Sequence, residues 1–268
     1  MSPSPTKEKA GRAPQDSDGR MSLGEHLIEL RNRGMIAAAS ILVLAVVGWF
    51  VEPYLWGTLT HPIYELAKHQ NVKITYTNLT SAFDLRMQVS IYIGLVAASP
   101  IWLYEIFAFL TPGLTGKEKR YVFGFFFTAI PLFLGGCLFG WYVTPHLIGV
   151  FLSFTPQNDA SYLGAGDYLS FVLKLILAVG IAFVTPVFIV LLNMIGVISA
   201  KAILKAWRWA ILGAVIFAAL ATPSTDIISM LILAVPLIAL YFGAALFAWL
   251  HDRRKARAAA KLEAEYAA

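Results

Sequence analysis

The stretch Ser22-Leu-Gly-Glu-His-Leu-Ile-Glu-Leu-Arg-Asn-Arg33 stands directly before the first long apolar run of the chain. Ser22 and Glu25 have the spacing of a capping box, which predicts that a helix begins here. One face of this helix carries three leucines, Leu23, Leu27 and Leu30. Another face carries charged residues four apart, Glu25, Glu29 and Arg33. The pattern predicts a helix that lies along a membrane surface and presents carboxylates there.

The composition is that of an integral membrane protein. The chain has 268 residues, of which 58% are apolar, and its mean hydropathy is +0.68. Soluble domains average about 45–50% apolar residues. The basic residues stand mostly beside apolar runs, without the aromatic and basic interleaving of a nucleic-acid groove, so we expect no nucleic-acid partner. The single cysteine, Cys137, lies inside an apolar run and is expected to be inert packing.

The chain divides into three regions. Residues 1–21 are rich in Pro, Ser, Gly and charge without periodicity, and predict a disordered cytoplasmic tail rather than a secretory signal. Residues 22–250 form a membrane domain, and residues 251–268 form a basic cytoplasmic tail.

Six segments approach the length of about 20 apolar residues that a span needs. They are residues 34–52, 83–107, 121–144, 168–192, 207–222 and 228–249. The fifth is short for a full bilayer, so either the membrane thins around it or its flanks are drawn in. Lys and Arg concentrate in the tails and in alternate connections, which places both termini in the cytoplasm by the positive-inside rule. The fold class is therefore an all-α membrane protein with six transmembrane helices.

The two long connections on the outer side, residues 53–82 and 145–167, are expected to form a cap of short helices and turns. Within the first of them Val72–Thr77 has β-propensity. Gly136 and Gly140 have the small-xxx-small spacing that favours internal helix packing. Four prolines lie within the predicted spans and are expected to bend them, namely Pro100, Pro131, Pro186 and Pro236.

Enzymatic function is not indicated, and no cofactor is expected. All five histidines fall outside the predicted spans, which excludes a histidine-based catalytic or metal site within the bilayer. A small-molecule permease is the alternative function, but it would need ionisable residues near the middle of the membrane. Arg86 and Lys174 lie near the outer ends of their spans, where they can snorkel, and Glu105 lies near an inner end.

A second carboxylate is predicted at the cytoplasmic surface. Thr115 and Glu118 have capping-box spacing at the start of the third span, which places Glu118 at a helix N-terminus on the same side as Glu29. Each carboxylate alone could equally be a solvated residue paired with a neighbouring Lys or Arg.

Several separated motifs, in order along the chain, resemble the TatC family, the signal-peptide receptor subunits of the twin-arginine protein translocase. The first is His26 to Arg33, followed by Ser99-Pro100 and by Phe109-Leu-Thr-Pro-Gly-Leu114 with Glu118-Lys-Arg120. The last runs from Thr222-Pro223 through Asp226 to Pro236, with Leu240-Tyr241. The resemblance covers the chain from about Ser22 to Trp249.

The resemblance implies a cupped six-span bundle with both termini cytoplasmic and with short fifth and sixth spans. It implies that Glu29 and Glu118 bind the paired arginines of a signal peptide, with Phe109 offering an apolar contact. It also places Arg31 among the signal-peptide-binding residues. The other positions that it marks as functional are Leu30, Pro62, Pro112 and Asp226. Implied partners are the single-span subunits TatA and, where present, TatB, together with twin-arginine signal peptides and further copies in a translocase complex. The implied location is the bacterial cytoplasmic membrane, with transport driven by the proton-motive force.

Two positions depart from the family pattern. The family often carries an acidic residue where this chain has Val184, and another after Leu-Tyr, where this chain has Phe242. Both changes are expected to remove polar groups from the concave face, with Thr185 as a partial substitute.

Overall fold

The computed structural model describes residues 23–69, 72–76, 80–109, 116–153, 161–222 and 227–266. Its elements in chain order are α1 Leu23–His69, β1 Val72–Thr75, α2 Ser81–Ala97, α3 Ser99–Phe109, α4 Gly116–Ser153, β2 Ser161–Gly164, α5 Ala165–Met194, α6 Ala200–Lys205, α7 Trp207–Ala221 and α8 Ile227–Tyr266. Several predicted features lie outside the described residues: the tail 1–21, the capping residues Ser22 and Thr115, and the site positions Pro112 and Asp226.

The apolar helices coincide with the six predicted segments. Within the described residues, α1, α4, α5 and α8 are each long and apolar enough to cross a membrane, and α2 with α3 passes the same test as a pair bent by 54°. The remaining apolar helix, α7, has 15 residues. At 1.5 Å per residue it is about 22 Å long, against roughly 30 Å of hydrocarbon. The prediction that the fifth segment is short is thus confirmed, whereas the sixth lies in α8, a helix of 40 residues.

The face of α1 that points away from the rest of the bundle shows why this chain needs a membrane. Leu42, Val46 and Phe50 are between 63% and 69% exposed. A continuous apolar surface of this kind is unfavourable in water and favourable against lipid chains. The chain is a multi-pass membrane protein.

Two predictions about the long connections are wrong. Residues 53–69 continue α1, and residues 145–153 continue α4, where a cap of short helices and turns was expected. Both extensions still have a face to bury: Leu59 packs against Leu85 and Val89, and Leu147 is completely buried. A helix persists as long as tertiary packing of this kind stabilises it.

The architecture is all-α as predicted, with one addition: the two connections meet in a small two-stranded sheet. Strand β1 pairs with β2 in parallel, in a register that runs from Val72 opposite Ser161 to Thr75 opposite Gly164. Parallel pairing requires a long crossover, which α2, α3 and α4 supply. The β-propensity of Val72–Thr77 is therefore realised over its first four residues.

Helices α4 and α5 pack at backbone distance through glycine. A Cβ placed on Gly136 would lie 2.8 Å from Phe183 Cβ and 2.9 Å from Gly180 Cα, and one on Gly140 would lie 3.0 Å from Ile176 Cα. The prediction of internal packing at the two glycines is confirmed. Cys137, between them, is buried as expected.

Proline positions account for one visible bend. The 54° break between α2 and α3 falls at Ala98, just before Pro100. Pro100 is the second residue of α3 and has no backbone N–H to donate to the last turn of α2, so a break between the two helices at this place is expected. Pro131, Pro186 and Pro236 lie inside α4, α5 and α8.

The last helix runs past the predicted end of the membrane domain at residue 250. Helix α8 continues without interruption to Tyr266. Asp252 anchors the start of this extension, because its carboxylate accepts hydrogen bonds from the Ala200 N–H at 2.9 Å and from Asn193 Nδ2 at 3.3 Å. These contacts hold the N-terminus of α6 against α8.

Candidate functional site

Two helices bring charged and aromatic side chains together at the N-terminal end of α1. His26, Glu29 and Arg33 follow one another at intervals of three and four residues, so they share one face of α1. Glu105 and Phe109 share one face of the last turns of α3 by the same rule. The two faces meet.

Arg33 bridges two carboxylates. Its Nε and Nη2 atoms donate hydrogen bonds to Glu29 Oε1 at 2.9 and 2.8 Å. Its Nη1 atom donates to Glu105 Oε2 at 3.0 Å. We call Glu29, Arg33 and Glu105 the acidic triad. With two carboxylates and one guanidinium, the triad carries one net negative charge.

The triad is largely withdrawn from solvent. The side chains are 19% exposed for Glu29, 27% for Arg33 and 11% for Glu105. The second oxygen of Glu29, Oε2, is buried and has no hydrogen-bond partner among the described residues. Because a buried, unpaired carboxylate oxygen is costly, this atom marks a place where a cationic donor would be stabilised.

An aromatic contact joins the same two helices beside the triad. The rings of His26 and Phe109 stack with centroids 4.3 Å apart and planes inclined by 19°. Phe109 is half-buried and offers an apolar surface next to the charged groups. Phe109 and Glu29 thus lie on the two helix faces that meet here, and their joint role in binding a peptide stays a prediction.

Among the predicted residues whose side chains the structure describes, Leu30 and Arg31 lie outside this cluster. Leu30 is 48% exposed. Arg31 is exposed, and its guanidinium donates to Asn32 Oδ1 at 3.3 and 3.4 Å. Pro62 lies in the C-terminal part of α1, and Glu118 lies in the first turn of α4; the structure describes the backbone alone at both. The pairing of Glu29 with Glu118 stays a prediction.

The sequence did not predict the roles of three members of the site, Arg33, Glu105 and His26. The spacing of Glu29 and Arg33 already suggested an ion pair on α1. Glu105 was placed only at an inner span end, and His26 was not assigned to the site. The four-residue spacing of Glu105 and Phe109 was the available signal, since it puts an acid beside the aromatic residue that the family resemblance marks.

A second ion pair lies nearer the other end of α1. Arg86 on α2 approaches Glu52, Nε to Oε2 at 3.4 Å, and covers the Trp49 ring with its guanidinium carbon 4.4 Å from the centroid. Glu52 is buried, at 5% exposure. Arg86 therefore packs across α1, since a buried carboxylate there needs a counter-charge. That it also snorkels stays a prediction.

The two departures from the family pattern have different surroundings. Val184 is 2% exposed and packs with Leu103 and Val187 in the core. The expectation that this position faces a concave surface is therefore wrong. Phe242 is 42% exposed. The Thr185 hydroxyl donates to the Ile181 carbonyl of its own helix at 3.5 Å, so it stays within α5 rather than reaching another element.

Among the described residues, no three His, Cys, Asp or Glu side chains lie close enough together to hold a metal ion. What the site offers is a partly desolvated negative charge beside an aromatic surface. Such an arrangement suits a ligand with a guanidinium group and a neighbouring apolar group.

Comparisons with known proteins agree with this description. A family model described as Sec-independent protein translocase protein (TatC) matches residues 25–236. The TatC protein of Xylanimonas cellulosilytica is 44% identical over 254 residues, covering 94% of this chain and 92% of its own length. The TatC protein of Rothia mucilaginosa is 37% identical, covering 91% and 85%. A crystal structure of a twin-arginine translocase receptor, TatC, superimposes with a TM-score of 0.74 at 30% identity, covering 83% of this chain and 99% of the other.

Proposed function

This chain belongs to the TatC family of Sec-independent protein translocase proteins, and on that basis we propose that it is the subunit that binds Arg-Arg signal peptides of folded proteins for export. The observation that carries the proposal is Glu29, held by Arg33 at the end of α1 with one buried oxygen unpaired. A guanidinium can pair with a carboxylate through two parallel charge-assisted hydrogen bonds, a bidentate geometry that the point charge of an ammonium does not reproduce.

In this proposal the two arginines of the signal peptide bind Glu29 and Glu118. Phe109 contacts the apolar part of the peptide next to them. Arg31, Leu30, Pro62, Pro112 and Asp226 are functional by family pattern alone. No catalytic step is assigned to the chain.

The test is photo-crosslinking of a twin-arginine signal peptide to membranes that contain this chain. We expect an Arg-Arg peptide to crosslink at least about tenfold more than a Lys-Lys peptide of otherwise identical sequence, since a lysine keeps the charge but loses the second hydrogen bond of a bidentate pair, which is worth at least about 1.4 kcal/mol. Membranes that lack the chain are the control. Equal crosslinking of the two peptides would contradict receptor function and favour the alternative, a small-molecule permease.

The proposed topology is six spans with both termini in the cytoplasm, in the bacterial cytoplasmic membrane. The excess of Lys and Arg in the tails and in alternate connections supports it.

Cysteine labelling tests this topology. In a variant with Cys137→Ala, we expect a cysteine at Asn158 to react with an impermeant maleimide added to whole cells, because residues 145–167 are assigned to the outer side. A cysteine at Gly116 should react only after permeabilisation. Labelling of Gly116→Cys in intact cells would refute the assignment.

The proposed partners are TatA and, where present, TatB, with further copies of this chain in one translocase complex. The proton-motive force would drive transport. Both proposals rest on family membership.

A further inference from the structure

The acidic triad contains more than the carboxylate that the family resemblance marks. Arg33 uses all three of its guanidinium nitrogens: Nε and Nη2 converge on Oε1 of Glu29, and Nη1 reaches Oε2 of Glu105. The usual bidentate pair would place one nitrogen on each carboxylate oxygen. Here both nitrogens share one oxygen of Glu29, and Oε2 remains buried and unpaired.

This geometry fixes the orientation of the Glu29 carboxylate, of which only Oε1 accepts hydrogen bonds from Arg33. A glutamate at a protein surface usually samples several rotamers. Two hydrogen bonds from Arg33 hold Glu29 in one of them, and Arg33 is itself held by Glu105 on the neighbouring helix. A ligand that meets a preorganised carboxylate does not have to order it on binding.

The charge count supports the same reading. Two carboxylates with one guanidinium leave one uncompensated negative charge in a cluster whose members are all less than one-third exposed. One further guanidinium would neutralise the cluster. Were Glu105 absent, Arg33 would already neutralise Glu29, and little charge would remain to attract an arginine.

We propose that Glu105 is a third acidic determinant of the signal-peptide site and that Arg33 is a positioning residue, which holds Glu29 so that its Oε2 atom receives an arginine of the peptide. The proposal rests on the receptor function proposed above. It adds to that function a reason for affinity, the net charge supplied by Glu105, and a reason for discrimination, the orientation imposed by Arg33.

A purely structural role of the triad, as a clasp between α1 and α3, is the competing explanation. The structure provides other contacts between these elements: His26 stacks on Phe109, and α1 also packs along α2, where Gly94 lies against Ala45. Substitutions in the triad should therefore leave the fold intact and allow binding to be measured.

The experiment is equilibrium binding of fluorescent Arg-Arg and Lys-Lys signal peptides to the full chain in lipid nanodiscs. We expect Glu105→Gln to weaken Arg-Arg binding about tenfold, because the isosteric amide removes the charge. We expect Arg33→Lys to lower the ratio of Arg-Arg to Lys-Lys affinity by a similar factor, because a lysine cannot hold Glu29 through two nitrogens. Glu263→Gln, on the exposed end of α8, is the matched control and should bind like the parent chain.

A double-variant comparison separates positioning from a structural effect. If Arg33 acts through Glu29, Arg33→Gln should weaken binding in the parent chain and change nothing further in a Glu29→Gln background. Additive losses in the two backgrounds would show that Arg33 acts by another route and would overturn its positioning role. Stronger Arg-Arg binding by Arg33→Gln would also overturn it, because Arg33 would then be a competitor of the ligand.

The same measurements distinguish failure of this inference from failure of the receptor function. If Glu29→Gln loses Arg-Arg binding while Glu105→Gln and Arg33→Lys match the control, the receptor function stands and the inference is wrong. If the parent chain itself binds both peptides equally, the receptor function fails and the inference fails with it.

Discussion

Reversal of the charge at Glu29, as Glu29→Lys, is expected to abolish twin-arginine-dependent export while leaving the chain in the membrane. The new ammonium would face Arg33, turning a 2.8 Å ion pair into a repulsion, and would repel the arginines of a signal peptide. The ion pair of Arg33 with Glu105 would remain, so one contact between α1 and α3 is kept. Loss of one charge-assisted pair alone costs about 1.5–3 kcal/mol, or about 10- to 100-fold in affinity, and repulsion adds to that loss.

The measurement is export of a reporter with a twin-arginine signal, together with the amount of the chain in the membrane fraction. Glu263→Lys is the control, because it makes the same charge change at an exposed position of α8. Glu118→Lys is expected to give the same defect as Glu29→Lys. Normal export by both reversals would show that the carboxylate site is wrong. Loss of the chain from the membrane would show that Glu29 is needed for folding rather than for binding.

The local part of the site could be predicted from the sequence. Glu29 and Arg33 are one helical turn apart, and that spacing determines their proximity wherever the helix lies. Glu105 is 72 residues from Arg33, so their contact depends on how α3 packs against α1. That packing follows from the 54° bend before α3, whose direction no single-sequence pattern specifies.

The positions of the apolar helices were predictable because they depend on local composition. The ends of these helices were not, because they depend on long-range packing. Long apolar runs require a membrane, and length and composition determine where they occur. Where a helix stops depends on what its next turn can pack against. The Tyr168 hydroxyl donates to the Leu59 carbonyl at 3.1 Å, and this contact across 109 residues belongs to the packed extension of α1. Parallel pairing of β1 with β2 is equally non-local.

The close approach of α4 and α5 yields the second large effect: Gly136→Val is expected to destabilise the bundle strongly, whereas Gly135→Val is not. A Cβ at Gly136 already lies within 3.0 Å of Phe183 Cβ and of Gly180 Cα. Since one of these atoms belongs to the backbone of α5, the two helices must move apart. At Gly135 a Cβ meets nothing within 4 Å, and the neighbouring position is therefore a matched control for helix propensity and added volume.

Overpacking of a well-packed interior costs about 1–3 kcal/mol, and a contact with backbone belongs at the upper end. For a chain of this size we expect the apparent melting temperature of Gly136→Val in detergent to fall by about 5–10 °C, with less protein recovered from membranes. Gly135→Val should melt within about 2 °C of the parent chain. Equal melting of the two variants would mean that α4 and α5 are not packed at backbone distance. Because α5 also contacts α2 and α8, that result would require a different arrangement of the whole bundle.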